Sequence, residues 1–126
     1  MYDLESFDIV DLEAGNSYMT ITQNSITFSK GLIERIGRVP YVRLLIKEKE
    51  GLLAIKATDE YDDRKIDFYR PGIVRVRWNN REFATRFIKL AGFPKEISIK
   101  VVGEYIGNER AFVFNLKKAE PIIIID

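Results

Sequence analysis

The segment Arg75-Val-Arg77-Trp-Asn79-Asn80-Arg81 carries three arginines and two asparagines within seven residues. Successive side chains of a strand point to opposite faces. Arg75 and Arg77 therefore share one face, and Val74, Val76 and Trp78 the other. Two guanidinium groups so placed can follow a phosphate backbone, and the amides of Asn79 and Asn80 can reach bases or phosphates. Arg86 and Lys89 follow on a predicted helix. The plainer account is a solvated face opposite a core face, with Asn79 or Asn80 serving only to cap that helix.

Other chemistry is restricted by what the chain lacks. It has no cysteine and no histidine, which removes thiolate ligands, disulfides, the commonest general base and the commonest transition-metal ligand. No glycine-rich phosphate loop or nucleophile elbow is present either, so no catalytic residue, metal or cofactor is assigned and the protein is not expected to be an enzyme. The acidic run Asp59-Glu60-Tyr61-Asp62-Asp63 offers hard oxygens, but without the spacing of a calcium loop it reads as a linker. Tyr41, Tyr61, Tyr69, Tyr105, Phe112, Phe114 and Trp78 can stack on unpaired bases. Phe112 and Phe114 alternate with Val113, however, as a core-facing pair does.

These side chains need a scaffold, and charge marks its parts. The net charge of +1 comes in blocks: residues 1–25 carry no basic and five acidic groups, 26–57 seven and three, 58–72 three and five, 73–100 seven and two, and 101–126 three and four. In the first basic block, Tyr18–Thr22 alternates as a strand, Gln23-Asn24-Ser25 turns, and Ile26–Phe28 resumes the strand. Ser29 can cap a short helix whose apolar face is Leu32, Ile33 and Ile36, and Gly37 ends it. Tyr41–Lys47 and Leu52–Ala57 then form a hairpin.

The second block repeats this order. Ile66–Arg70 and Ile73–Trp78 flank the turn signal Pro71-Gly72, a helix follows with Phe83, Phe87, Leu90 and Ala91 on its apolar face, and Gly92-Phe93-Pro94 stops it about one turn longer than the first. Ile97–Ile106 and Arg110–Leu116 make the last hairpin. The expected fold is α+β and β-rich. It comprises two tandem β-β-α-β-β units interlaced about a pseudo-two-fold axis into one compact domain. The divisions are an acidic arm (1–16), a first unit (17–57), an acidic linker (58–65), a second unit (66–120) and an apolar strand or tail (121–126).

The segment YMTITQNSITFSKGLIERIGRVPYVRLLIKEKEGLLAIKA, Tyr18 to Ala57, resembles the AbrB-like swapped-hairpin family, which includes MazE-type antitoxins and tandem-repeat MraZ proteins. In that family a strand, turn and strand lead into a short helix ending near a glycine and then a hairpin, two copies interlace, and basic residues near the first hairpin and helix commonly contact DNA. The resemblance implies such roles for Lys30 and Arg35, and by position in the repeat for Arg75, Arg77 and Arg81. Here Gln23-Asn24-Ser25 stands where a glycine and arginine are usual, and Ser29 stands in place of the usual proline.

The leading expectation is a nucleic-acid-binding regulator or accessory protein, with DNA the favoured partner. The alternative is a non-enzymatic protein-binding adaptor or inhibitor of antitoxin or mobile-element type, using a sheet edge or the tail Pro121-Ile-Ile-Ile-Ile125. Two units on one chain can satisfy each other, so a monomer with internal pseudo-symmetry is expected, with a homodimer through exposed edges as the other arrangement. The N-terminus does not read as a signal peptide and no apolar run is long enough to span a bilayer, so no membrane partner and a cytoplasmic location are expected.

Overall fold

Alternation governs the strands. Met19, Ile21, Ile26, Phe28, Val76, Ile99 and Val101 are buried, and the residues between them turn outward. A computed structural model describes residues 3–7 and 16–122 of the chain. The molecule is α+β and mostly antiparallel sheet: β1 (Tyr18–Ile21), β2 (Ile26–Phe28), α1 (Lys30–Ile36), β3 (Tyr41–Lys47), β4 (Leu52–Thr58), β5 (Ile66–Asp67), β6 (Val76–Trp78), α2 (Arg81–Leu90), β7 (Ile99–Ile106), β8 (Ala111–Asn115) and β9 (Glu120–Pro121). Most of the expected acidic arm, and the tail from Ile123 onward, lie outside the described residues.

The strands follow the order β5-β3-β4-β8-β7-β1-β2-β6, with β9 added to β7. Pairs form within each half of the chain (β1–β2, β3–β4, β7–β8) and also between halves (β1–β7, β2–β6, β3–β5, β4–β8), all antiparallel. The sheet curls until its two ends meet. There the Trp78 indole Nε1 donates to the Asp67 carbonyl oxygen at 3.0 Å, and Phe28 packs edge-on against both Phe68 and Trp78 at 5.2 and 4.8 Å. Each such ring pair is worth roughly 0.5–1.5 kcal/mol beyond burial.

The first helix forms as its sequence predicts. The Ser29 hydroxyl accepts the Leu32 N–H, Leu32, Ile33 and Ile36 are buried, and Gly37 takes a left-handed φ of 97° that a side chain would oppose. The α2 face differs from expectation. Ala84, Phe87 and Ile88 are its buried stripe, Leu90 and Ala91 are half-buried, and Phe83 is 39% exposed, stacked on Phe87 from the rim. An i, i+3, i+4 stripe led by small Ala84 lets the helix lie closer to the sheet than one led by Phe83.

A second difference concerns residues 66–78, where a hairpin about Pro71-Gly72 is expected. The turn exists, closed by Ile73 N–H to the Arg70 carbonyl at 3.2 Å, but β5 pairs with β3 and β6 with β2 rather than with each other. Phe68 and Tyr69 instead donate their N–H groups to the carbonyls of Pro40 and Val39, which draws the arm away, and the Trp78 indole fills the gap. Because β6 begins only at Val76, Val74 is 74% exposed instead of facing the core. Phe112 and Phe114 lie in the core, as their alternation suggests.

Candidate nucleic-acid interface

The site is a cross-strand row. Lys100 of β7 lies opposite Thr20 of β1, Thr20 opposite Thr27 of β2, and Thr27 opposite Arg77 of β6. Residues directly opposed in antiparallel strands face the same side, and the neighbours of these four are core residues, so all four point outward. Arg75 lies two residues before Arg77, and Tyr18 two before Thr20, extending the band along the strands. Glu120 of β9, opposite Lys100, closes the row on the far side.

A hollow of about 320 Å³ sits over this band, lined by Tyr18, Thr20, Thr27, Lys30, Val74 and Arg75 among others. A broader one of about 820 Å³, lined in part by Asn16, Gly31, Glu34 and Arg35, shares Tyr18, Ser29 and Lys30 with it. The two hollows adjoin at Tyr18, Ser29 and Lys30, which form the waist between them and give the face a two-part groove. Ser29 fixes that waist: its hydroxyl donates to the Asn16 carbonyl at 2.7 Å and accepts the N–H of Tyr18 at 3.0 Å besides capping α1. Gly31 lets the segment leading into β1 approach the helix, since a Cβ there would stand 2.6 Å from the Asn16 carbonyl oxygen.

The cations of the band are available. Among the described residues, Lys30, Arg75, Arg77 and Lys100 make no ion pair, whereas other cations are engaged: Arg38 with Glu34 at 2.7 Å, Arg43 with Asp62 at 2.6 Å, Arg70 with Asp67 at 2.9 Å and Arg86 with Glu48 at 2.9 Å. The Arg38 hydrogen bond holds the Glu34 carboxyl below its usual range, so the carboxylate among the described residues lining the hollows is already committed. Lys100 Nζ lies 4.2 Å from the centroid of the Tyr18 ring, a cation–π distance.

The residues singled out by sequence thus divide. Lys30, Arg75 and Arg77 converge on the band. Asn80 is the α2 cap, accepting the Phe83 N–H at 3.1 Å, and Arg86 is tied to the turn between β3 and β4. The Arg35 guanidinium lies 5.2 Å from the Tyr105 ring centroid, at the far end of the broader hollow. Asn79, Arg81 and Lys89 are exposed, but none lines the groove. Lys100, Tyr18, Thr20 and Thr27 were missed by sequence reasoning. The alternation Ile99-Lys100-Val101 signals an outward lysine, yet only the β1–β7 register brings it to this band.

The acidic run has a structural use. Asp62, whose side chain is 6% exposed, accepts two hydrogen bonds from Arg43 at 2.6 and 2.9 Å, one from the Arg64 N–H and one from the Thr58 hydroxyl, both at 2.9 Å. The Arg43 hydrogen bond, then the Arg64 N–H, hold its carboxyl far below the ordinary carboxylate range. Among the described residues, no group of three or more acidic, histidine or cysteine side chains is placed to hold a metal ion, and no helix is long and apolar enough to cross a membrane.

The chain matches no family model, no curated protein and no solved structure.

Proposed function

We propose that this protein is a nucleic-acid-binding regulator or accessory protein whose contact surface is the outward face of β7, β1, β2 and β6. One observation carries the reading: Lys30, Arg75, Arg77 and Lys100, free of ion pairs among the described residues, are gathered on one band floored by threonine hydroxyls. Phosphate oxygens are the ligands such a surface suits, because charge-assisted hydrogen bonds from guanidinium and ammonium groups favour them and neutral hydroxyls add acceptor-tolerant contacts. With a net charge of only +1, affinity rests on this local grouping. Fluorescence anisotropy with oligonucleotides across a salt series tests it. Replacing both Arg75 and Arg77 by alanine lowers the slope of log affinity against log salt by about 1.4 on a single strand, or about 1.8 on a duplex, if each arginine neutralises one phosphate. Oligonucleotide binding absent even at low salt would return the protein to the adaptor reading.

The proposal extends to the architecture. The two halves are read as interlaced tandem units of AbrB-like pattern, a reading supported by matched registers. Leu52↔Asn115 and Lys56↔Ala111 are mirror pairs across β4 and β8, and Leu44↔Ile55 in the first half corresponds to Gly103↔Phe114 in the second. The N–H of Leu116 reaches the Gly51 carbonyl, and that of Ala57 the Arg110 carbonyl, each at 2.9 Å. Since the exchange of strands is completed within one chain, light scattering should return the mass of a single 14.6 kDa chain; a concentration-independent doubled mass would contradict internal pairing.

A further inference from the structure

We infer that the groove takes single-stranded rather than duplex nucleic acid, with the Tyr18 ring as the platform on which an unpaired base stacks; this rests on the nucleic-acid reading above. The basic row crosses four adjacent strands, so Lys100 to Arg77 spans roughly 14 Å at about 4.8 Å per strand step. A two-stranded ribbon enters a major groove about 12 Å wide, and this broader face does not. The sheet curls around its core, so the outward face is convex overall, with the two hollows set into it beside the first helix. Against the convex surface of a duplex it meets little more than one line of phosphates, whereas a flexible single strand can follow the curvature.

Tyr18 is half-buried, lines both hollows, and is flanked by the Lys100 ammonium 4.2 Å from its centroid. A base stacks there by displacing the Lys100 ammonium from the ring face toward a backbone phosphate, and an aromatic platform of this kind is sequence-tolerant. Val74, largely exposed at the edge of the smaller hollow, adds an apolar contact that a phosphate does not use but a base does. Trp78 is not available for this role, because its indole N–H is bound to Asp67 and its ring packs on Phe28 and Phe68.

The test uses the full chain and one labelled mixed sequence presented as single-stranded DNA, single-stranded RNA and duplex DNA, by anisotropy at fixed salt. Single strands are expected to bind at least about tenfold more tightly than the duplex, and Tyr18→Ala to weaken single-strand binding by about tenfold. Tyr18→Phe keeps the ring and should bind as the parent does. If Tyr18→Ala does not fold, Tyr18→Leu, which keeps bulk and removes the π-face, is expected to show the same loss. Duplex bound as tightly as single strand, or single-strand affinity indifferent to Tyr18→Leu, overturns the inference. Duplex preference that still depends on Arg75 and Arg77 would overturn it while sparing the proposed function; binding to none of the three forms would end both. The DNA and RNA arms decide which single strand is the physiological class.

Discussion

Two outward rows of this sheet stand on the same core yet differ in chemistry. Lys100, Thr20, Thr27 and Arg77 cross β7, β1, β2 and β6, whereas Leu45, Ala54, Val113 and Glu104 cross β3, β4, β8 and β7. Beneath the first lie Met19, Ile21, Ile26 and Phe28, and beneath the second Leu53, Ile55, Phe112 and Phe114, all buried. The inward residues of both rows answer to packing; the outward residues are freed from it, and there the chemistry of the two rows differs. Under the proposed function the basic row is where an anionic ligand binds, and the row through Leu45, Ala54 and Val113 lacks the cations for it.

The comparison breaks first at the core. Phe28→Ala removes a ring that holds both Phe68 and Trp78, and should cost about 3–5 kcal/mol by denaturant unfolding. A substitution of comparable chemistry on the outward rows should stay within about 0.5 kcal/mol. Next comes binding. Arg75→Ala with Arg77→Ala should weaken oligonucleotide affinity by at least about tenfold at low salt, while Lys47→Ala with Lys56→Ala, cations of the β3–β4 side, should change it little.

Smaller is the effect of Ser29→Ala, which loses a helix cap and two clamping hydrogen bonds, one from the Tyr18 N–H of β1 and one to the Asn16 carbonyl just before it. About 1 kcal/mol of stability is expected to go, measured by thermal unfolding, with binding reduced because the waist of the groove loosens. The smallest effect is read against pH. The Asp62 carboxyl is held below its ordinary value in the folded state, so the stability it contributes is present above an unfolded pKa of about 4 and fades as pH falls through the lower folded value. Asp62→Asn should therefore be less stable than the parent at neutral pH, with the gap closing below about pH 4.

Much of this frame was legible in local sequence. Ser29 and Gly37 bracket α1, Asn80 caps α2, and alternation marks β1, β3, β4, β7 and β8, because each signal is contained within a few residues. The failures are non-local. Pro71-Gly72 does mark a turn, but whether its arms pair is settled by Val39, Pro40 and Thr27 from the other half, and no spacing within residues 66–78 reveals that. Phe83 and Ala84 are adjacent, and the choice of which one faces the sheet depends on how closely the helix docks. At the site, the alternation around Val76 correctly turned Arg75 and Arg77 outward, whereas Lys100 and Tyr18 join them only through a strand pairing distant in sequence.

The most direct test of the central claim is the salt dependence of oligonucleotide binding by the parent and by the Arg75→Ala, Arg77→Ala double variant. The account predicts salt-sensitive binding in the parent and a slope shallower by about 1.4 on a single strand, or about 1.8 on a duplex, in the variant. Equal affinity and equal slope in both would contradict it, and would remove this face from any role in recognising nucleic acid.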